Sequence, residues 1–336
     1  MPEPAPSSSD RSRPAGARAA HHLVQNEPLL FEVSAPGKRG YQLPGLDVPP
    51  VSLAAERAEV RDFPEVSELE VIRHFTRLST WNYGVDTGLY PLGSCTMKYN
   101  ARINELVTRL EGMGDGHPLQ PEELSRGALR VMALLSDYLL EITGMDAITL
   151  QPAAGAQGEL TGILLVRAAL AARGDARRKI LIPDSAHGTN PATAAIAGYE
   201  VENLKSNADG TVDMSSLERQ MSGDVAALML TNPNTLGIFE EEIHHIADLV
   251  HERGGMLYMD GANMNALVGR ARPGDFGVDV MHLNLHKTFS TPHGGGGPGA
   301  GPVAVRKERP PKLPIPVRTR KPEGEPPLAY DMYSIQ

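Results

Sequence analysis

The sequence predicts an α/β fold with a largely parallel sheet, and three observations in its second half support that prediction. Three short apolar runs have the length and composition of buried strands: 179–183 (KILIP), 225–231 (VAALMLT) and 255–260 (GMLYMD). A helical pattern occupies 243–254, between the last two runs. Polar residues follow each run, which suits a sheet that binds ligands at the carboxyl ends of its strands. Strands that alternate with helices in this way predict parallel pairing with right-handed crossovers.

Length and composition exclude several classes of protein. The chain has 336 residues, enough to bury a large core, with 41% hydrophobic and 22% charged residues. No apolar run reaches the roughly 18 residues that a membrane span requires. The net charge of -9 disfavours nucleic acid as a partner, and the single cysteine, Cys95, suits a reducing compartment. We therefore expect a soluble, cytoplasmic protein that binds small molecules or proteins, and neither nucleic acid nor membrane.

Composition divides the chain into four predicted segments. Residues 1–27, rich in Pro, Ser, Ala and Arg, predict a disordered tail, for which a transit peptide is the alternative reading. Residues 28–120 predict an N-terminal arm with loops, laid over a partner surface. The α/β pattern fills 121–306, and the proline-rich segment 307–336 predicts a connector.

Three further helices follow from the spacing of apolar residues. One is predicted at 65–78 within the arm, and another at 121–142, where Pro121 marks its start and Gly144 lies just past its end. Residues 150–165 (LQPAAGAQGELTGILL) predict a turn of small residues that leads into a third helix. The N–H groups and the dipole at such a helix start attract an anion such as phosphate.

A lysine and an aspartate follow successive predicted strands. Asp260 ends the run at 255–260, and Lys287 follows the alternating segment VMHLNLH at 280–286. An acid and an amine at neighbouring strand ends suit pyridoxal phosphate, because the lysine can form a Schiff base while the carboxylate keeps the ring nitrogen protonated. Taken singly, Asp260 could instead cap the following segment, and Lys287 is more typical of a solvated surface lysine.

Other candidates near the strand ends are weaker by themselves. His187 could stack on a cofactor ring, although it is also typical of a hydrogen-bonded loop histidine. His244, His245 and His251 lie on one predicted helix without the spacing of a metal site, so we expect no metal. The glycine-rich block at 294–302 is typical of a flexible loop, yet beside a catalytic lysine it would allow close backbone approach.

Six segments carry a resemblance to a known family. In chain order between residues 29 and 306 they are LLFEVSAPGKRGYQLP, YPLGSCTMKYN, DSAHGTNPATAAIAGYEV, TNPNTLGIFE, MDGANMNALVG and HLNLHKTFSTPHGGGGPGAGPVAV. Together they closely resemble glycine dehydrogenase (decarboxylating), the P-protein of the glycine cleavage system, and in particular subunit 2 of its split, two-subunit form. The block that contains the lysine and the glycines is the most specific of the six.

The resemblance implies a fold, an activity and a set of partners. The implied fold is the aspartate-aminotransferase-like fold type I of pyridoxal-phosphate enzymes. The implied reaction is the decarboxylation of glycine, whose remaining aminomethyl group passes to the lipoyl arm of H-protein. A companion subunit 1 and a heterotetramer are implied as well. Family members continue past the glycine-rich block into a smaller C-terminal domain that closes over the substrate, so the resemblance implies that this domain is missing here.

Carried over position by position, the resemblance also implies roles for individual residues. Lys287 becomes the Schiff-base lysine, Asp260 the partner of the ring nitrogen, and His187 the residue that stacks on the ring. The segment 94–98 would reach the substrate side. The further cofactor contacts are implied for Ala154, Gly155, Ala156 and His286 at the phosphate and for Asn232 at the ring hydroxyl.

Two alternatives remain open at this stage. Another fold type I enzyme, such as an amino-acid decarboxylase or a carbon–sulfur lyase, would share the cofactor motifs, although the match over several segments disfavours it. A truncated chain that serves only as a scaffold for its partner subunit is the second alternative. An absorbance spectrum would separate the two, because only the enzyme would bind pyridoxal phosphate through a lysine.

Overall fold

The computed structural model describes most of the chain between residues 26 and 306. The described residues are 26–51, 55, 60, 62–92, 95–117, 120–291 and 299–306, together with the backbone at 317–319 and 329–331. Residues 1–25 of the predicted tail and most of the predicted connector therefore lie outside the described residues. The chain forms two compact units, Met1–Gly88 and Leu89–Gln336.

The first unit contains two helices, α1 (Leu30–Val33) and α2 (Glu68–Ser79). The predicted helix at 65–78 is confirmed as α2, which begins after Ser67. This serine accepts a hydrogen bond from the Glu70 N–H (3.3 Å), and the Glu70 carboxylate accepts one from the Ser67 N–H (2.9 Å). Such a reciprocal capping box satisfies backbone donors that the first turn leaves unpaired, so it sets where the helix begins.

The second unit holds the strands and the remaining helices of the described chain. The strands are β1 (Tyr90–Leu92), β2 (Cys95–Met97), β3 (Ala147–Thr149), β4 (Lys179–Pro183), β5 (Glu200–Leu204), β6 (Val225–Thr231), β7 (Met256–Gly261), β8 (Val280–Leu283), β9 (Val303–Val305), β10 (Val317–Thr319) and β11 (Ala329–Asp331). The helices are α3 (Arg102–Thr108), α4 (Glu122–Thr143), α5 (Gly155–Ala172), α6 (Thr189–Ile196), α7 (Met214–Gln220), α8 (Ile243–Glu252) and α9 (Leu285–Thr288). None of the helices in the described ranges is both long and apolar enough to cross a bilayer.

A sheet of seven described strands forms the centre of this unit, in the order β3-β9-β8-β7-β6-β4-β5. Strands β5, β4, β6, β7 and β8 pair in parallel, whereas β9 is antiparallel to both of its neighbours. The predicted largely parallel sheet is therefore confirmed, and the antiparallel β9 beside it is an addition that the sequence did not indicate. The strand order changes direction between β4 and β6, which is where ligands bind in sheets of this kind.

The predicted elements agree closely with the observed ones. Strands β4 and β6 coincide with the predicted runs, β7 is shifted by one residue, and α8 ends two residues earlier than predicted. Helix α4 ends at Gly144, whose φ of 68° is a left-handed conformation that glycine adopts readily. The alternating segment at 280–286 was predicted as one strand, but β8 ends at Leu283 and Lys287 lies in the short helix α9.

Two apolar clusters cover the two faces of the sheet. Helices α5 and α6 pack on one face, where they bury Ile180 and Tyr258, and helices α4, α7 and α8 pack on the other, where they bury Leu181 and Leu257. Because neighbouring residues of one strand point to opposite faces, both faces must be apolar, which explains the continuous apolar runs.

Candidate active site

The carboxyl ends of four parallel strands bring several of the predicted site residues to one edge of the sheet. His187 lies in the loop after β4, Asn232 directly follows β6, and Asp260 is near the end of β7. Lys287 lies four residues beyond β8, within α9. Asp260 and Lys287 are only 5% and 9% exposed, so the interpretation of Lys287 as a solvated surface lysine is wrong.

Asp260 is a buried carboxylate that its surroundings keep ionised. Burial opposes ionisation, but this effect is outweighed by the attraction of His282, by hydrogen bonds from Asn190 and the Ala262 N–H, and by the charge of Lys287, so the pKa of Asp260 lies below its ordinary value. The Asn190 amide donates to Oδ2 (3.1 Å), and the Ala262 N–H donates to Oδ1 (2.9 Å). A negative charge therefore persists at this edge of the sheet.

The short helix that carries Lys287 is held by backbone contacts on several sides. The Leu285 N–H donates to the Ala300 carbonyl (3.1 Å), which ties α9 to the described end of the glycine-rich block. Lys98 directly follows β2. Its ammonium group donates hydrogen bonds to the carbonyls of His286 (2.8 Å) and Thr291 (2.9 Å). Lys98, the last residue of the predicted segment 94–98, therefore contacts the turn that bears Lys287.

The Asn232 side chain uses one of its two polar atoms in a hydrogen bond to a described residue. It is 1% exposed, and its Oδ1 accepts a hydrogen bond from the Glu240 N–H (2.9 Å). Among the described residues, its Nδ2 has no hydrogen-bond partner. A buried amide donor without an acceptor is costly, so this atom is suited to a ligand oxygen.

The start of α5 coincides with the turn that was predicted to attract an anion. Ala154 is the N-cap residue in extended conformation, and Gly155 and Ala156 are the first two residues of the helix. Their N–H groups have no carbonyl partner within the helix, and the helix dipole adds positive potential. A side chain at Gly155 would collide with the Asn284 amide, and one at Gly301 would collide with the Ala154 backbone. Small residues are thus required on both sides of this turn.

His187 and His286 differ in exposure. The His187 ring is exposed, and its Nδ1 lies 2.7 Å from the Thr189 hydroxyl, which in turn donates to the Glu159 carboxylate (2.9 Å). His286 is buried in α9, and a side chain at Gly299 would collide with its imidazole. The glycines at 294–297 lie outside the described residues.

Sequence reasoning missed four polar residues of this site: Asn190, Glu159, His282 and Tyr258. His282 is directly opposite Asp260 in the parallel register of β8 on β7. Asn190 belongs to the same segment as His187, and His282 belongs to the alternating segment that precedes Lys287. Carboxylate oxygens of Glu159 and Asp260 and a ring nitrogen of His282 lie within 4.8 Å of one another. Both oxygens of Asp260 and one oxygen of Glu159 already accept hydrogen bonds from neighbouring donors.

These residues fit pyridoxal phosphate. The ionised, buried Asp260 suits a protonated ring nitrogen, the buried Lys287 amine suits an aldehyde, and the unpartnered Asn232 amide suits a ring hydroxyl. The start of α5 suits the phosphate.

Comparisons of sequence identify close relatives. Residues 42–318 match the family model described as glycine cleavage system P-protein. A probable glycine dehydrogenase (decarboxylating) subunit 2 from Listeria monocytogenes is 57% identical over 310 residues, covering 90% of this chain and 64% of that protein. Proteins of the same description from Bacillus licheniformis and Chlorobium chlorochromatii are each 58% identical, over 88% and 87% of this chain and 63% and 62% of their own lengths. The chain thus spans just under two thirds of these relatives.

Comparisons of structure agree on the fold. A glycine decarboxylase (P-protein) of the glycine cleavage system, in inhibitor-bound form, matches with a TM-score of 0.56 at 23% identity, over 78% of this chain and 56% of that one. A sphingosine-1-phosphate lyase from Burkholderia pseudomallei matches with a TM-score of 0.54 at 18% identity, over 77% of this chain and 62% of that one. The predicted fold type I architecture is confirmed.

Proposed function

The chain belongs to the glycine cleavage system P-protein family, and on that premise we propose that it decarboxylates glycine and passes the aminomethyl group to the lipoyl arm of H-protein. Pyridoxal phosphate is the cofactor of this family. The observation that carries the proposal is the pairing of an ionised, buried Asp260 with a buried Lys287 at the same edge of the sheet. A buried carboxylate is costly unless charged and hydrogen-bonding groups surround it, as they do at Asp260.

Each residue of the site has a separate task in this proposal. Lys287 would hold the cofactor covalently through Nζ, and Asp260 would keep the ring nitrogen protonated. Asn232 would donate its free Nδ2–H to the ring hydroxyl, and His187 would stack on the ring. The phosphate would be held by the start of α5, at Ala154, Gly155 and Ala156, and by His286 of α9.

The decarboxylation itself depends on charge and on the exclusion of water. When bound, pyridoxal phosphate withdraws the electron pair that remains after the loss of CO2. Asp260 supports this by remaining negative against the ring nitrogen, because a neutral partner would let the ring lose its proton. The Lys287 amine would be the group that moves protons at the substrate carbon. The low exposure of both groups strengthens their electrostatic effect.

The names of the relatives and the exposed apolar side chains of the first unit both support protein partners for this chain. The relatives are named as subunit 2, which supports a companion subunit 1 for this chain. The first unit exposes large apolar side chains, such as Phe31 (66%), Tyr41 (80%) and Leu43 (83%). Such exposure supports the predicted arm on a partner surface, because monomeric proteins seldom leave so much apolar area in water.

The decisive experiment combines cofactor trapping with an activity assay. The chain, purified with pyridoxal phosphate, should show the visible absorbance of a lysine-bound cofactor, and borohydride followed by peptide mass spectrometry should locate the pyridoxyl group on Lys287. Addition of subunit 1 and lipoylated H-protein should then support exchange of the glycine carboxylate with labelled CO2, in a chain extended to the full length of its relatives.

Three outcomes would contradict this proposal. A reducible adduct on a lysine other than Lys287 would refute the assigned site. Exchange with a larger amino acid in preference to glycine would favour another fold type I decarboxylase. A chain that bound subunit 1 but no cofactor would be a scaffold.

A further inference from the structure

His282 is one of the buried polar residues of the site to which the proposed function gives no task. It lies in β8, is 1% exposed, and faces Asp260 across the parallel register. Its Nε2 lies 3.3 Å from Asp260 Oδ1, and its Nδ1 lies 2.7 Å from the Tyr258 hydroxyl. Tyr258 is itself fully buried in β7, two residues before Asp260. The imidazole therefore links two side chains of the neighbouring strand.

The chemistry of the three groups defines the direction of these contacts. An ionised carboxylate can only accept, so the Nε2 atom that faces Asp260 must carry a proton. Burial, together with the negative charges of Glu159 and Asp260, raises the pKa of Tyr258 well above its ordinary value, so its hydroxyl stays protonated. A protonated hydroxyl can donate to a neutral Nδ1 or accept from a charged one. Tyr258 therefore satisfies Nδ1 in either state, while Nε2 lies 3.3 Å from the Asp260 carboxylate.

The surroundings of this triad contain further charges. Glu159 of α5 is 2% exposed and lies against the pair, and its Oε1 has no partner in the described part of the chain. Lys287 of α9 also attracts Asp260. The titratable groups that face His282 are thus Glu159 and Asp260 as acids and Tyr258 as a neutral hydroxyl. Two acids near one imidazole mean that removal of the imidazole leaves like charges less well compensated.

We propose that His282, held by Tyr258, is a positioning residue that fixes the Asp260 carboxylate and keeps it ionised toward the cofactor ring. The inference rests on the proposed function, because it concerns the same cofactor. It predicts that loss of the imidazole weakens cofactor binding, and that the loss becomes larger in acid. A histidine with only a packing role would affect stability without this dependence on pH.

The same sheet provides a matched control. His251 of α8 places its Nε2 2.8 Å from Asp279 Oδ2, and this carboxylate also accepts from the Leu257 N–H. It is another histidine–aspartate pair with a strand residue, but it does not touch the site. Tyr199 is a second control, because it is a 7% exposed tyrosine in the same apolar cluster as Tyr258.

The test compares His282→Asn and Tyr258→Phe with His251→Asn and Tyr199→Phe, each as the full chain titrated with pyridoxal phosphate. Asparagine at 282 keeps a polar group near Tyr258 but withdraws the donor from Asp260. We expect the dissociation constant of His282→Asn to rise about tenfold or more near pH 8, because the buried carboxylate loses the ring nitrogen that lies 3.3 Å from it. Tyr258→Phe, which removes only one oxygen atom, should raise it about threefold.

The dependence on pH decides the interpretation. As the pH falls from about 8 to about 5, His282→Asn should lose affinity more steeply than the wild type, because its Asp260 takes up a proton at a higher pH. The controls His251→Asn and Tyr199→Phe should show the same dependence of cofactor affinity on pH as the wild type. If His282→Asn and Tyr258→Phe also showed the wild-type dependence, the inference would be refuted and the proposed function would stand. If the wild type bound no cofactor at all, the inference and the proposed function would both be refuted. Should His282→Asn not fold, the curve of Tyr258→Phe decides alone.

Discussion

Replacement of Asp260 by asparagine separates the charge of this residue from its place in the fold. The Asp260 carboxylate accepts hydrogen bonds from the Asn190 amide and from the Ala262 N–H. An asparagine at this position would replace one carboxylate oxygen by an NH2 group, which donates. Asn190 can compensate by rotating its amide, because its Oδ1 has no hydrogen-bond partner among the described residues. One hydrogen bond is then restored and the oxygen that faces Ala262 is kept. The net cost to folding should be about 1 kcal/mol, which lowers the melting temperature by about 2 to 4 °C.

The effect on activity should be far larger than this cost. A neutral amide cannot hold the ring nitrogen of the cofactor protonated, so Asp260→Asn should reduce carboxylate exchange by about 10²-fold to 10³-fold. The assay is glycine-dependent exchange of labelled CO2 with subunit 1 and H-protein, normalised to bound cofactor by absorbance. Asn190→Ala is the control, since it removes a donor but keeps the carboxylate. Wild-type exchange by a folded Asp260→Asn variant would refute the assigned role, and failure of this variant to fold would refute the compensation by Asn190.

Three further predictions concern other parts of the chain. Lys287→Ala should abolish the borohydride-reducible cofactor and leave the circular dichroism spectrum unchanged, whereas a surviving adduct would place the lysine elsewhere. Gly155→Ala should destabilise the chain by about 1 to 3 kcal/mol in a denaturant titration, because its methyl group meets the Asn284 amide, while Gly188→Ala, with open space around it, should not. The Arg77 hydrogen bond and, more weakly, His74 hold the pKa of Glu27 below its ordinary value, so its stabilisation exists above the ordinary carboxyl range and disappears as the pH falls. The melting temperature of Glu27→Gln should therefore be lower than that of the wild type at neutral pH, with a difference that narrows in acid.

Much of the fold could be predicted from the sequence because its signals are local. Strands β4 and β6 coincide with apolar runs, and α4 lies between a proline and a glycine whose backbone preferences start and end a helix. The antiparallel β9 could not be predicted in this way. It has three residues, and its direction depends on pairing with β8 and β3, which are distant in the chain.

In the candidate site, too, some residues could be predicted from local sequence signals and others depended on distant contacts. Asp260 and Lys287 were found from their places after apolar runs, and both are buried at the predicted edge. The extended segment predicted through residue 286 was wrong, because the backbone turns into α9 once the Leu285 N–H pairs with the Ala300 carbonyl. His282 then belongs to β8, where its side chain faces β7, and Lys287 stands on a separate turn.

The sequence by itself determined the order of the elements, the apolar runs of the sheet, and the residue types available at the strand ends, since periodicity, caps and small residues act over a few positions. Only the tertiary structure decided which polar groups meet. Asn190 and Asp260 are 70 residues apart, and Tyr258 and His282 are 24 residues apart, yet each pair shares a buried hydrogen bond. The physical reason is that strand register and helix packing, set by the whole core, bring these side chains together, whereas no local preference of the chain distinguishes them from other polar residues.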